Sequence, residues 1–206
     1  MFTAAKTRLI RVNGKDPDPE AISICAEVLR QGGLVAFPTE TVYGLGADAF
    51  NKEAVEKIYE VKDRPRSKPL TLHISDIKMI EDAGCVITPQ AKKLIDAFWP
   101  GPITIILSSR NGAKIGFRMP RNEVALRLIN GLKRPVVAPS ANTSGEKPPT
   151  DAIAVVEAFN GRIDIVLDAG STELRRESSV VDATAEPPEV LRKGALDESE
   201  ILKAVS

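Results

Sequence analysis

Apolar residues along this chain arrive in short bursts: LIRV at 9–12, LVAF at 34–37, LTLHI at 70–74, ITIIL at 103–107, VVAP at 136–139 and DIVLD at 164–168. Bursts of that length bounded by Pro, Gly or charge predict strands, and between them the apolar spacing lengthens to the helical period. Within 18–31, Ile22, Cys25, Ala26 and Leu29 share one helical face, and Gly32 supplies a stop. Asn51 caps a second helix through about Lys62, with Val55, Ile58 and Tyr59 facing inward, and Thr88 followed by Pro89 opens a third that runs to Phe98. Weaker helical patterns lie near 122–132, 151–159 and 197–205. The alternation predicts an α/β fold. Strand-like runs at 115–119, 178–183 and 189–192 have few helical intervals between them, which adds antiparallel pairing. The expected architecture is therefore one domain over residues 1–206, an open twisted mixed sheet with flanking helices.

Composition narrows the functional classes. Lys plus Arg and Asp plus Glu both number 28, so no global field draws the molecule to nucleic acid or a membrane surface, and any charge logic is local. The N-terminal residues carry no apolar run of signal-peptide length, and nothing approaches the ~20 apolar residues of a membrane span, which predicts a cytoplasmic protein. Cys25, Cys85 and the lone His73 have no partners at metal-ligand spacing, so no structural metal site is expected. GEKPPTD and AEPPE read as surface turns.

Against that neutral background, K-D-R-P-R-S-K-P places Lys62, Arg64, Arg66 and Lys68 at every second position. In extended backbone, which Pro65 and Pro69 favour, four cations would share one side over roughly 20 Å, longer than a triphosphate. A basic octapeptide is by default solvated surface. This one runs from a predicted helix end into PLTLHI, which makes an anion site an equal alternative.

Two further loops carry polar chemistry. P-S-A-N-T-S-G at 139–145 follows the strand VVAP and offers Ser140, Asn142, Thr143 and Ser144, either as ligand groups at a strand end or as ordinary turn residues. F-P-T-E-T-V-Y-G-L-G-A-D-A at 37–49 contains Gly44-x-Gly46-x-x-Ala49, formally a dinucleotide fingerprint. Six residues separate it from Phe37 and the region about 20 residues on is dominated by the basic residues of K-D-R-P-R-S-K, so a close backbone turn is the better reading. The P-loop G-x-x-x-x-G-K-[ST] does not occur, so bound ATP would need side-chain cations. Taken singly, His73 reads as a core histidine, Arg118 as a surface strand residue and Trp99 as packed before a rigid turn.

In order along the chain, PTETVYGLG, KDRPRSKPLTLHI, FWPGPITIIL, RMP, APSANTSG, SSVVD and VLRKG resemble the YrdC-like threonylcarbamoyl-AMP synthase family over about residues 18–195. The resemblance implies a YrdC-like fold and an enzyme that makes L-threonylcarbamoyladenylate and pyrophosphate from L-threonine, bicarbonate and ATP. ATP would be consumed as a substrate, with Mg²⁺ accompanying it. The product would serve N6-threonylcarbamoyladenosine formation at position 37 of tRNAs that read ANN codons, with downstream threonylcarbamoyl-transfer machinery as a partner and possible contact with tRNA or double-stranded RNA.

The family's K-x-R and S-x-N tetrad falls on Lys62, Arg64, Ser140 and Asn142. Lys62, Arg66, Ser140, Asn142 and Arg192 are implied for ATP, and Thr39, His73, Arg118 and Ser179 for L-threonine. Arg118 suits bidentate pairing with a carboxylate. Three positions depart from the usual pattern: Asp63 for glycine in K-G-R, Asn122 for the histidine after R-x-P, and Ser179 for threonine in S-T-V-V-D. Alternation predicts that Asp63 faces away from its cationic neighbours. The chain ends soon after VLRKG, like the short form of the family. The rival readings are a non-catalytic RNA-binding module and, resting only on the glycine pattern, a nicotinamide-dependent oxidoreductase.

Overall fold

The structure is a computed structural model and describes residues 6–205. The strands are β1 (Arg8–Arg11), β2 (Val35–Phe37), β3 (Gly44–Asp48), β4 (Thr71–His73), β5 (Ile103–Ser108), β6 (Lys114–Arg118), β7 (Val136–Val137), β8 (Ile165–Asp168), β9 (Ser179–Asp182) and β10 (Glu189–Arg192). The helices are α1 (Pro19–Arg30), α2 (Lys52–Val61), α3 (Lys78–Asp82), α4 (Pro89–Phe98), α5 (Glu123–Leu132), α6 (Ala152–Phe159) and α7 (Glu198–Val205).

Capping explains where most of the helices start. Asp18, Asn51, Thr88, Asn122 and Asp151 each accept a backbone N–H from the first turn of the helix that follows, satisfying a donor the helix cannot. Asn122, one of the departures from the family pattern, is thus the cap of α5. Gly32, at φ 81°, lets the chain leave α1 in the left-handed region.

The ten strands form one sheet in the order β1-β8-β2-β3-β7-β4-β6-β5-β9-β10. β1, β8 and β2 run parallel, as do β4 with β6 and β5 with β9, while the other neighbours are antiparallel. The mixed sheet expected from the sequence is present. Two elements were not expected, α3 and β3. The second consists of G-L-G-A-D, a poor strand former, and it pairs antiparallel with β2 because Gly46 lets the backbones approach. A Cβ at Gly46 would sit 2.8 Å from Phe37 Cε1 and 3.0 Å from the Val35 carbonyl oxygen. The formal dinucleotide fingerprint is therefore strand interior and opens no helix.

Side-chain alternation divides the core. In the first half of the sheet both faces are covered: Val35, Phe37, Ile165 and Leu167 pack toward α1 and α5, and Ala36, Leu45, Ala47 and Val166 toward α2 and α6. In the second half one face, with Ile103, Ile105, Leu107, Phe117 and Val181, packs against α3, α4 and α7. The opposite face carries Thr71, His73, Thr104, Gly116 and Arg118 and belongs to none of these apolar clusters. A Cβ at Gly116 would meet Thr104 Cγ2 at 3.2 Å and Thr71 Oγ1 at 3.6 Å, which places the three on one side. Among the described residues, no helix is long and apolar enough to cross a membrane.

Candidate active site

That polar face is the floor of a cavity of about 110 Å³. His73 and Arg118 are register partners on β4 and β6, so both side chains rise from the same point of the sheet. The walls come from strand ends and the loops beside them: Thr39, Val42 and Tyr43 between β2 and β3, Gly44 at the start of β3, Arg64 and Pro69 before β4, 138–140 after β7, Glu177 and Ser178 before β9, with Arg192 from the end of β10. Loops leaving the ends of strands in an open α/β sheet are where such folds bind ligands.

Backbone bonds lace these loops together. Leu45 N donates to Pro139 O at 2.8 Å, Ala141 N to Tyr43 O at 2.8 Å and Tyr43 N to Pro149 O at 2.9 Å, so the 139–149 segment is strapped along the 43–45 segment. The Thr39 hydroxyl donates to Val42 O at 2.7 Å and accepts from the Thr41 and Val42 N–H groups, closing a local turn.

Lys62 is the knot between the two tetrad loops. It is 1% exposed, and its Nζ donates to the carbonyl oxygens of Ser140 and Asn142 while its own carbonyl accepts from Ser144 N. Burial, reinforced by the positive charge of Arg64 and opposed by Glu177, pulls the Lys62 pKa down to about 7. Ser140 borders the cavity, whereas the Asn142 side chain donates from Nδ2 to Thr143 O and Glu146 O, lies outside the cavity wall and leaves its Oδ1 buried without a partner.

The four cations at 62–68 do not share one side. Asp63 takes the left-handed conformation at φ 49°, and Lys68 N bonds Pro65 O at 2.9 Å in a turn, so the extended alternation expected from spacing is broken immediately after Lys62. Lys62 is directed inward. Arg64 enters the cavity wall, held by Nη2 to Pro69 O at 2.8 Å and Nε to Lys68 O at 3.2 Å. Arg66 lies outside the wall, its side chain 67% exposed and paired with Glu56 at 2.7 Å. Lys68 is exposed. Asp63 does face away, 4.0 Å from Arg162, but through the left-handed turn and not through strand alternation. That turn accounts physically for the glycine usual at this position.

Three guanidinium groups, Arg64, Arg118 and Arg192, converge on the cavity, with Glu177 as the acid in its lining. Arg192 donates from Nε to Ser178 O and from Nη2 to Ser178 Oγ, and pairs with Glu177 at 3.0 Å. Burial lowers the pKa of both Arg64 and Arg118 from the ordinary arginine value, and the groups remain charged. Burial, with Arg118 beside it, holds His73 well below the usual imidazole range, so it is neutral, and its Nδ1 is buried without a partner.

Ser179 sits elsewhere. Its hydroxyl donates to Leu196 O at 3.0 Å and accepts from Gly194 N and Leu196 N at 3.1 Å, and it lies outside the cavity wall. The neighbouring Ser178 is the wall residue, a position sequence reasoning passed over because period-two alternation leaves open which of two adjacent serines points in. Glu40 was also passed over. Only 2% exposed, it places Oε2 2.8 Å from Arg118 Nη2. The available signal is an acid inside P-T-E-T, directly after the apolar strand LVAF.

A family model for Sua5, YciO and YrdC, described as "Telomere recombination", matches residues 27–194. Threonylcarbamoyl-AMP synthase of Pyrococcus abyssi is 44% identical over 193 residues, covering 89% of this chain and 57% of that protein. The Bacillus subtilis protein of the same name is 42% identical over 194 residues, covering 89% and 56%. The chain thus spans about half the length of these relatives. The crystal structure of P. abyssi Sua5 complexed with L-threonine superposes with a TM-score of 0.92 at 42% identity, covering 96% of this chain and 61% of that one. On the match of the family model, the identity to these relatives and the shared mixed sheet, the chain belongs to the Sua5/YciO/YrdC family.

Proposed function

We propose that this protein condenses L-threonine, bicarbonate and ATP into L-threonylcarbamoyladenylate and pyrophosphate. The observation that carries the reading is the convergence of Arg64, Arg118 and Arg192 on one small polar cavity beside the Lys62 knot. The threonine carboxylate pairs with Arg118, bordered by Thr39 and neutral His73. The amine and bicarbonate give a carbamate with loss of water, and a carbamate oxygen attacks the α-phosphorus of ATP as pyrophosphate departs on the opposite side.

At about 110 Å³ the cavity is smaller than the ~300–1,000 Å³ of ordinary ligand pockets, so it suits the amino acid and its carbamate, with the nucleotide across the mouth. Charge grows on the transferring phosphoryl group and on pyrophosphate, and preplaced cations at Arg64 and Arg192 stabilise it with little reorganisation, while Lys62 adds its charge from behind the Ser140 and Asn142 carbonyls that its Nζ holds. Ser140, in the cavity wall, aligns the nucleotide, and Asn142 holds the loop behind it through Thr143 O and Glu146 O. Mg²⁺ comes with the triphosphate: among the described residues no group of three His, Cys, Asp or Glu side chains is gathered to hold a metal. The product supplies threonylcarbamoylation of tRNA in the cytoplasm through downstream transfer machinery.

The test is pyrophosphate release on mixing the protein with ATP, L-threonine and bicarbonate. Release that depends on threonine is the expected result. A folded protein that binds structured RNA and releases no threonine-dependent pyrophosphate would return the RNA-module reading.

A further inference from the structure

Glu40 is a buried acid that the reaction scheme does not use. Its side chain is 1% exposed, that of Arg118 5%, and Glu40 Oε2 lies 2.8 Å from Arg118 Nη2. The contact is a close buried ion pair in which Glu40 supports the Arg118 charge against the cost of burial, while Glu40 Oε1 and Arg118 Nε are buried without a hydrogen-bond partner. Such an arrangement is costly for both charges, and removing either would leave the other buried and uncompensated. Glu40 does not line the cavity, whereas Arg118 does. Its backbone is fixed independently, since Leu174 N donates to Glu40 O at 2.8 Å and the Thr172 hydroxyl to Thr41 O at 2.9 Å. The carboxylate is thus a buried charge on a fixed backbone behind the Arg118 guanidinium.

We infer that Glu40 is a positioning residue for L-threonine binding: through charge it holds the Arg118 guanidinium on the cavity floor beside His73, in the orientation that receives the substrate carboxylate. The inference rests on the proposed threonine-binding reading. A space-filling role and a positioning role make opposite predictions for two substitutions. Glu40→Gln keeps the volume and removes the charge, while Glu40→Asp keeps the charge and shortens the side chain.

The experiment measures L-threonine affinity by calorimetry in wild type, Glu40→Gln, Glu40→Asp, Arg118→Gln and the Glu40→Gln/Arg118→Gln double variant, with circular dichroism on each. The double variant removes both buried charges together, which keeps the comparison open if Glu40→Gln alone folds poorly. Positioning through charge predicts that Glu40→Gln weakens threonine binding roughly tenfold or more, that Glu40→Asp stays within a few-fold of wild type, and that Glu40→Gln adds nothing in the Arg118→Gln background. Glu40→Asp weaker than Glu40→Gln, or equal losses from Glu40→Gln with and without Arg118, overturns the positioning role alone. A wild-type protein that binds no threonine overturns the functional reading and the inference together.

Discussion

The Lys62 ammonium donates to the carbonyl oxygen of Asn142, 80 residues further along the chain, so the lysine's side-chain tip meets the asparagine's backbone and not its side chain. Lys62 is a structural brace as well as a candidate cation for phosphate. Lys62→Ala is expected to lower kcat about 10²–10³-fold, as loss of a preplaced charge donor does, and also to destabilise the fold by about 1–3 kcal/mol because two buried carbonyls lose their donor. Pyrophosphate release and thermal unfolding check the two parts, and faster amide exchange at Ser144 would show the loop loosening.

The depressed pKa of Lys62 has a definite sign in stability. Unfolded lysine titrates near 10.4, while the folded group titrates at about 7. Between those values the unfolded chain holds a proton that the folded chain has released, so stability rises with pH across about 7 to 10. Denaturant unfolding at several pH values should show this slope, and Lys62→Met should flatten it.

The cations at 64 and 66 are unequal in the structure and should be unequal in kinetics. Arg64 forms cavity wall, whereas Arg66 is an exposed partner of Glu56, an arrangement worth about 0–1 kcal/mol. Arg64→Ala is expected to lower kcat/KM for ATP about 10²-fold or more, and Arg66→Ala by less than about fivefold, a difference under ~1 kcal/mol. Equal losses in steady-state assays would mean that Arg66 swings onto the nucleotide.

Gly46→Ala tests the reading of G-L-G as strand. The added methyl would press on Phe37 Cε1 and the Val35 carbonyl, and overpacking of this kind costs about 1–3 kcal/mol. The expected outcome is a lower melting temperature with no new affinity for a nicotinamide nucleotide.

Local patterns were enough for most elements, and the reasons are visible in single residues. Asn51 and Thr88 cap the helices they are read to open, because a cap is a contact within four residues, whereas the caps Asn122 and Asp151 precede stretches read only as weaker helical patterns. β3 was hidden, because glycine gives no strand signal and the reason for Gly46 lies on Phe37 of the neighbouring strand. The 62–68 cations were legible as a group but not in direction, since a single left-handed residue, Asp63, redirects everything after it.

By itself the sequence determined the α/β alternation, the capped helices, the mixed sheet and the loops at 37–49, 62–69 and 139–145 from which a site is built. These follow from periodicity and short-range hydrogen bonding, which act between neighbours in the chain. Only the tertiary structure decided which polar groups meet: Arg118 with Glu40, Lys62 with the Ser140 and Asn142 carbonyls, Ser178 in the wall and Ser179 on the 194–196 loop. Those pairings depend on strand order and register across a ten-stranded sheet. Side-chain direction at one position is then set by backbone packing dozens of residues away, which no local pattern encodes.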